Sequence, residues 1–340
     1  MAFLSEEMLA AMAFDHKYSS SGCSVLDRLI MQKFWNWIIN FFPLKHDANA
    51  MFHWSAPNTM TLGGLFCMFL PTITLLCYCY DFESTAPSWV YLMNACGIFI
   101  YQTLDALDGK QARRTGSSSS FGELFDHGCD AVSTILGSCS SLVALQLGKT
   151  DIGFAVFMGS LLAFSGCHIQ TYYKGCLTFG FFDVTEIQFM GMGLMLISAV
   201  AEGNFWDTLV LGVPIRMVPA VFVPLASVLA ILGNIYVSLT VTPVPYASSR
   251  QAELWSGAFL LAAIASVWFV GAKDEMSGTD YGCFLFALGF LNATHACALI
   301  VAHMSRCAVG RLVFLRFVPT VACAAASLLG IVPGIAVACE

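Results

Sequence analysis

The feature that most constrains this chain is a succession of apolar runs, each long enough to cross a lipid bilayer. Crossing the hydrocarbon core takes about 20 apolar residues in a helix, and lipid-exposed spans must be helical because lipid cannot satisfy backbone polar groups. The sequence therefore predicts an all-α, polytopic membrane helix bundle with about nine to ten transmembrane helices. The last run contains Pro319 and Pro333, so a bent helix or a short hairpin would also fit it. The nine runs are 59–80, 88–107, 125–147, 152–173, 184–201, 217–240, 254–271, 281–303 and 312–338.

The composition excludes several other classes of protein. Only 11% of the 340 residues are charged, whereas soluble domains carry roughly 25%. A net charge of -7 without any Lys/Arg-rich block excludes a nucleic-acid binder that relies on a basic face. The 14 cysteines lie mostly singly in apolar runs without a CxxC motif, which indicates small buried residues rather than a disulfide framework. No removable signal peptide is expected.

The basic residues between the predicted spans indicate the orientation of the bundle. With the N-terminal segment in the cytosol, twelve of the 15 Lys and Arg residues fall on the cytosolic side and three on the other. This asymmetry follows the positive-inside rule, so it supports both the orientation and the span count. The three residues on the opposite side are Lys149, Arg216 and Lys273.

Residues 24–42 are predicted to form an N-terminal interfacial amphipathic helix. Apolar residues recur there at helical spacing with charged residues between them. Trp35 and Trp37 are the kind of residue that occupies the headgroup layer of a membrane. The alternative is an ordinary helix that packs on the rest of the protein.

Five acidic residues lie at span ends instead of in the short loops that hold most of the others. A carboxylate at the centre of a bilayer costs about 2.5–3.5 kcal/mol on insertion scales, and function is the default hypothesis for acids in spans. Near a helix end the cost is smaller, but several clustered acids still need a compensating cation. The second span ends with Asp105 and Asp108, and the third begins with Glu123, Asp126 and Asp130.

The spacing of the four aspartates predicts a metal site. Asp105 and Asp108 are three residues apart, and Asp126 and Asp130 are four apart, so each pair projects from one helix face. Converging carboxylates need countercharge, and hard oxygen ligands suit Mg2+ or Mn2+, with two ions as the expected number. The alternative is a capping salt-bridge network with the basic residues Lys110, Arg113 and Arg114.

The loop between these two spans has what a metal–phosphate site needs. Gly109 allows a ligand to approach the backbone closely, and Arg113 can bind a diphosphate through two hydrogen bonds. Gly122 leaves room beside the third span, and residues 117–120 keep the bend polar.

The full string is D-x2-D-G-x2-A-R-x8-G-x3-D-x3-D. It resembles the signature of the CDP-alcohol phosphotransferases, with every fixed position filled. Longer stretches resemble the eukaryotic choline/ethanolamine phosphotransferases within that family, and the resemblance spans about residues 17–305. These stretches are 99–130, 56–58, 179–186 and 301–304.

The resemblance implies an enzyme of phospholipid synthesis in the endoplasmic reticulum or Golgi membrane, with its active site facing the cytosol. Phosphocholine or phosphoethanolamine would pass from CDP-choline or CDP-ethanolamine to the 3-hydroxyl of diacylglycerol, with release of CMP. Homodimers are usual in such families, and no nucleic acid is expected as a partner. The predicted parts are a cytosolic N-terminal segment (1–50), a catalytic bundle of six spans (51–240) and C-terminal membrane helices (241–340).

The resemblance also implies roles for individual residues. Asn58 and Arg113 would contact the CDP moiety, although Asn58 alone would be read as a helix N-cap. The metal ligands would be Asp105, Asp108, Asp126 and Asp130. The substrate-binding positions would be Asn58, Gly109, Ala112, Arg113 and Gly122.

The proton acceptor is predicted to be His127, with Asp130 as the alternative. A carboxylate that ligates a metal is a poor base, whereas an imidazole titrates near neutral pH. The family pattern places Glu186 where it could orient His127; the alternative is a first-turn acid favoured by the helix dipole. His168 and His295 are expected to be packed or hydrogen-bonded within the bundle.

His303 is expected to be packed in the same way, although it could line a lipid route. Two alternative functions stay open at this point. One is a CDP-alcohol phosphotransferase that uses another acceptor, such as inositol. The other is a transporter or channel, which should place polar residues along several spans through the membrane depth.

Overall fold

The computed structural model describes residues 12, 20–42, 56–180, 182–201, 205–247 and 251–307. These residues are mostly helical and contain only two small two-stranded sheets, which confirms the all-α class. The bounds of the helices are α1 Gln32–Ile38, α2 Pro57–Tyr78, α3 Ser88–Thr115, α4 Ser120–Ala144, α5 Asp151–Lys174, α6 Val184–Val200, α7 Met217–Thr240, α8 Gln251–Ala272 and α9 Gly278–Met304.

Short irregular helices and two small sheets complete the described chain. A π-helix precedes α1 and a 3-10 helix follows it, at Asp27–Met31 and Ile39–Phe41 respectively, and another 3-10 helix spans Phe205–Asp207. The strands are β1 Ser20–Ser21, paired in parallel with β2 Leu177–Thr178, and β3 Leu209–Val210, paired antiparallel with β4 Val213–Pro214.

The first eight predicted spans coincide with helices α2 to α9. Among the described residues, four of these helices, α2, α5, α7 and α9, are long and apolar enough to cross a membrane. Nine or ten transmembrane helices stay a prediction, and the run at 312–338 lies outside the described residues.

Helices α3 and α4 extend beyond the apolar runs that predicted them. Helix α3 continues through the charged residues to Thr115, and α4 already begins at Ser120. The structure therefore corrects the predicted ends at residues 107 and 125. The apolar run ends where the charged residues begin, whereas the α3 hydrogen-bond ladder ends only at Gly116, whose left-handed backbone (φ 62°) suits glycine.

The ends of the bundle opposite the α3–α4 bend hold the three basic residues predicted for that side. Lys273 Nζ lies 2.5 Å from Asp151 Oδ1, at the start of α5. Arg216 pairs with Asp207. Lys149 donates a hydrogen bond to the backbone carbonyl of Met276. These contacts are consistent with helices that alternate in direction.

The N-terminal helical segment 27–41, which includes α1, packs on the bundle through one face. Met31, Trp35 and Ile39 are buried against Met60 of α2 and Leu107 of α3. This contact agrees with the alternative of a helix packed on the protein. A different set of apolar side chains on the same segment is exposed, namely Leu29, Ile30, Trp37 and Phe41.

Helices α2 and α3 approach closely where α3 has a glycine. A Cβ atom on Gly97 would lie 2.3 Å from the carbonyl oxygen of Cys67 and 3.1 Å from Pro71 Cγ. We therefore expect Gly97→Ala to separate the two helices and to lower stability by about 1–3 kcal/mol. The thermal midpoint of the purified protein in detergent measures this loss.

Gly63→Ala is the matched control, because a Cβ atom there would have no atom of another described element within 4 Å. Alanine is the better helix former, so this variant should be neutral or slightly more stable. Equal midpoints for Gly97→Ala and Gly63→Ala would contradict the close approach of α2 and α3.

Candidate metal and phosphate site

The candidate site lies where α3 ends and α4 begins. Gly116 ends α3, and the backbone N–H of Gly122 donates to Ser119 Oγ at 3.0 Å, which caps the start of α4. The polar bend between these caps turns the chain back on itself. It thereby brings the last turns of α3 and the first turns of α4 to the same end of the bundle.

All four predicted aspartates meet in this place. One possible ligand atom from each of Asp105, Asp108 and Asp126 lies within 4.8 Å of the other two, and the same holds for Asp126, His127 and Asp130. Asp126 belongs to both groups. The two pairs thus converge as their spacing predicts, and they join at Asp126.

The carboxylates fit a divalent cation. Oδ1 of Asp105 and Oδ1 of Asp126 are buried and have no hydrogen-bond partner among the described residues. An uncompensated buried carboxylate is costly in free energy, and a cation would offset that cost. Oxygen-only ligands of this kind suit Mg2+ or Mn2+, and ion identity and number stay predictions.

Two buried hydroxyl groups, neither of them predicted above, bind the other two aspartates. Tyr101 donates a 2.7 Å hydrogen bond to Asp130 Oδ1, and Thr61 donates to Asp108 Oδ2. Tyr101 could have been found, because it precedes Asp105 by four residues and so shares its face of α3. Thr61 comes from α2, and no spacing rule places α2 beside α3.

Removal of the Tyr101 hydroxyl should weaken metal binding without unfolding the bundle. Loss of a group that orients a metal ligand typically costs about 10–100-fold in metal affinity or activity. We therefore expect Tyr101→Phe to raise the Mn2+ concentration needed for half-maximal thermal stabilisation in detergent.

Tyr281→Phe is the matched control, because the Tyr281 hydroxyl is buried without a hydrogen-bond partner among the described residues. It lies at the start of α9, at the other end of the bundle. An unchanged Mn2+ titration for Tyr101→Phe would show that the hydroxyl does not position Asp130.

Two of the nearby basic residues are bound to the N-terminal helical segment 27–41. Lys110 Nζ donates to Gln32 Oε1 and to Asn36 Oδ1, both at 2.9 Å, and Arg114 donates to the carbonyl of Ile39. The alternative salt-bridge network would have used both cations to neutralise the aspartates. Their observed partners instead join α1 and the 3-10 helix after it to the end of α3.

Arg113 and Asn58 lie beside the two motif glycines. A Cβ atom on Gly109 would be 3.4 Å from Arg113 Nη1, and one on Gly122 would be 3.5 Å from Asn58 Oδ1. The N-cap of α2 is Ala56, and Asn58 lies inside the helix. The interpretation of Asn58 as an N-cap is therefore wrong.

The remaining predicted substrate-binding position, Ala112, lies in the last turn of α3. Its carbonyl accepts a 2.9 Å hydrogen bond from the backbone N–H of Ser117, so it helps to close the bend. Its role in substrate binding stays a prediction.

His127 is buried beside the aspartates. Its Nδ1 atom lies 3.5 Å from Asp130 Oδ2, and its ring packs edge-on against that of His168, with centroids 5.4 Å apart. His168 is itself buried and packs against Phe164. The imidazole of His127 is thus next to the carboxylates while it faces a different helix, α5.

Glu186 lies at the junction between the N-terminal segment and α6. Its Oε1 accepts a 2.8 Å hydrogen bond from the backbone N–H of Leu26, and its Oε2 accepts a 3.0 Å bond from that of Asp183. Asp183 caps α6 in return, which forms a capping box. Glu186 is therefore an acid in the first turn of α6, which agrees with the alternative interpretation given above. Its role in orienting His127 stays a prediction.

Comparisons with known proteins agree with this geometry. Residues 54–214 match the model of the CDP-alcohol phosphatidyltransferase family. The chain is 34% identical to cholinephosphotransferase 1 of Xenopus laevis over 307 residues, which cover 86% of this chain and 72% of the relative. The chain belongs to this family. The matched region contains every aspartate, histidine and arginine described above at the α3–α4 bend.

Other relatives match a shorter part of the chain. Cholinephosphotransferase 1 of Gallus gallus is 44% identical over 56% of this chain and 55% of its own length. The Homo sapiens protein of that name is 40% identical over 66% of this chain and 52% of its own length. The chain thus spans about half the length of these relatives. Membership of the family identifies it as a transferase of phospholipid synthesis, and its own substrates are proposals.

Proposed function

We propose that this chain transfers phosphocholine, phosphoethanolamine or both from the CDP ester to diacylglycerol, with release of CMP. The observation that carries the proposal is the convergence of four aspartates around Asp126, with Arg113 and Asn58 beside them. The relatives named cholinephosphotransferase 1 indicate phosphocholine as a transferred group.

Recognition of the nucleotide substrate depends on charge and close backbone approach. Asp105, Asp108, Asp126 and Asp130 would hold two Mg2+ or Mn2+ ions, which when bound would neutralise diphosphate oxygens and charge on the leaving group. Arg113 contributes a guanidinium suited to two phosphate oxygens.

The remaining substrate-binding positions frame the space for the diphosphate. Asn58 contributes an amide beside Gly122, and the missing side chains at Gly109 and Gly122 leave the backbone accessible. Ala112 is a small side chain on the same turn of α3 as Gly109.

His127 is the group best suited to accept the proton of the acceptor hydroxyl. Asp130 already accepts hydrogen bonds from Tyr101 on one oxygen and lies next to His127 on the other. As His127 takes the proton, the hydroxyl oxygen forms a bond to the phosphorus that carries the headgroup. The bond from that phosphorus to the oxygen of CMP breaks, and CMP leaves with the electron pair.

Glu186 would support this step through the position of its helix. Its bonds to Leu26 and Asp183 fix the start of α6 beside the N-terminal segment. Thr185, the neighbouring residue, donates a 2.7 Å hydrogen bond to Asp27 and so strengthens the same junction. We propose that this junction keeps α6 in the place from which Glu186 orients His127.

The exposed apolar residues of the N-terminal segment suit a membrane surface. Leu29, Ile30, Trp37 and Phe41 are all more than half exposed, and aromatic side chains favour the headgroup layer. We propose that α1 lies at the cytosolic surface of the endoplasmic reticulum or Golgi membrane, beside an active site that faces the cytosol. The positive-inside count supports this orientation.

The proposed reaction can be tested on the purified protein in detergent with Mg2+ or Mn2+. Diacylglycerol is supplied with CDP-choline or with CDP-ethanolamine, and radiolabelled phospholipid is measured. In a parallel assay, CDP-diacylglycerol is supplied with inositol. Activity in the first assay is expected; activity only in the second would replace the proposal with an inositol-type transferase. Inactivity in both, together with ion flux in vesicles, would favour a transporter.

A further inference from the structure

A short β-hairpin connects α6 to α7 at the end of the bundle opposite the aspartates. Strand β3 pairs with β4, and only Leu211 and Gly212 join the two strands. Leu211 is 100% exposed, and three further aliphatic side chains of the hairpin are exposed, namely Leu209, Val210 and Val213. The hairpin therefore presents an apolar tip that the rest of the described chain leaves uncovered.

Leu211 is an unusual residue for the turn that it forms. Its φ is 53° and that of Gly212 is 82°, so both residues have the left-handed backbone of a type I′ turn. Asparagine or aspartate followed by glycine is preferred there, because a branched side chain is strained in the left-handed region. Leu211 makes up for this strain through no packing within the described chain, which indicates an apolar partner outside it.

The base of the hairpin is fixed to the bundle by polar contacts. Trp206 Nε1 donates a 3.0 Å hydrogen bond to Ser198 Oγ of α6. Arg216 pairs with Asp207 and donates a 3.2 Å hydrogen bond to the carbonyl of Gln146. The charged residues of segment 205–216 are thus both at the base, whereas the tip consists of aliphatic residues and glycine. The tip projects from a rigid support.

Helix α6, which precedes the hairpin, is short for a membrane span. Its 17 residues extend about 26 Å at 1.5 Å per residue, whereas the hydrocarbon core is about 30 Å thick. Apolar side chains are exposed both near the end of α6 and near the start of α7, namely Leu196, Ile197, Val200, Val218 and Val221. The apolar tip follows directly on this surface, which faces lipid in an integral membrane protein.

We infer that the tip of this hairpin inserts into the leaflet opposite the aspartates, at the boundary between headgroups and acyl chains. Lipid is the partner that fits best, because the tip offers no polar side chain for specific recognition and continues the lipid-facing surface of α6 and α7. Its depth is limited, because the outer edges of a two-stranded hairpin leave backbone groups unpaired and hydrocarbon cannot satisfy them. The insertion anchors the far end of α6, whose first turn carries Glu186.

Fluorescence quenching in lipid nanodiscs, which leave both membrane faces accessible, tests this insertion. A genetically encoded acridone amino acid replaces Leu211, because its emission is separate from that of tryptophan. One quencher is a phospholipid with a nitroxide near the top of its acyl chain, and the other is a water-soluble nitroxide. The probe at position 211 should lose at least half of its emission to the lipid-borne nitroxide and less than a tenth to the water-soluble one.

The same probe in place of Glu275 is the matched control. This residue is exposed in the loop between α8 and α9, at the same end of the bundle, and its probe should respond mainly to the water-soluble nitroxide. Neither readout requires transfer activity.

Equal or stronger quenching of the probe at position 211 by the water-soluble nitroxide would overturn the inference, because the tip would then lie in water. Quenching by neither nitroxide would also overturn it, because protein, such as a second copy of the chain, would then cover the tip. Should the variant at position 211 fail to fold, the probe in place of Leu209 decides by the same outcomes.

Discussion

Asp126→Asn is expected to abolish phosphoryl transfer, with a rate at least about 1,000-fold below wild type. Asp126 is common to both groups of potential ligands, and one of its oxygens is buried without a hydrogen-bond partner among the described residues. An amide keeps the size of the side chain but removes the charge and one acceptor. The measurement is the initial rate of phospholipid formation at saturating Mn2+ and CDP-amino alcohol.

The thermal midpoint of the protein, measured with and without Mn2+, distinguishes a variant that no longer binds metal from one that binds metal but no longer catalyses transfer. Mn2+ should raise the thermal midpoint of the wild-type protein, because a ligand that binds only the folded state stabilises it. Mn2+ should raise the thermal midpoint of Asp126→Asn little or not at all. Treatment of the wild type with EDTA should lower both the transfer rate and the thermal midpoint, and added Mn2+ should restore both.

Asp151→Asn is a suitable control for this pair of measurements. Its carboxylate lies at the opposite end of the bundle, bonded to Lys273, and its side chain is 71% exposed. Surface ion pairs contribute little to stability, so rate and metal response should match wild type. A rate within 10-fold of wild type for Asp126→Asn would show that the carboxylate cluster is not the metal site.

His127→Gln is expected to lower kcat by about 100- to 10,000-fold, the range that general base catalysis contributes. Glutamine retains polarity and approximate size but cannot accept the proton. The KM for the CDP-amino alcohol and the metal-induced rise in thermal midpoint should remain close to wild type. Single-turnover measurements with bound CDP-choline would show that the chemical step is the one that slows.

His295→Gln is the matched control, since His295 is also buried in a helix but lies in the middle of α9. Its kcat should remain near that of wild type. Wild-type turnover in His127→Gln would refute the assigned base, and Asp130 would become the next candidate. A loss of CDP-choline binding in His127→Gln would instead indicate a positioning role.

The sequence was sufficient to predict the aspartate cluster because its geometry is local. Asp105 and Asp108 lie on one turn of α3, Asp126 and Asp130 on adjacent turns of α4, and a short capped bend joins the helices. Periodicity within a helix and the length of the bend together determine that the pairs meet. The apolar runs likewise predicted the existence and order of α2 to α9, although not the ends of α3 and α4 at the bend.

Apart from Tyr101, the supporting groups could not be predicted, because they depend on packing between distant parts of the chain. Thr61 is separated from Asp108 by 47 residues, and Glu186 from Leu26 by 160. No pattern along one helix specifies such a neighbour. The hydrogen bonds from Lys110 to α1 could not be predicted for the same reason, because they depend on how the N-terminal segment packs.

The position of the carboxylates at helix ends, and not at mid-span, has a consequence for lipid asymmetry. In the proposed reaction, the nucleotide never enters the hydrocarbon core of the membrane. The new phospholipid forms with its headgroup already at the membrane surface where the aspartates lie. Every molecule made would join one leaflet only. Growth of the opposite leaflet would then depend on a separate route that carries headgroups across the bilayer.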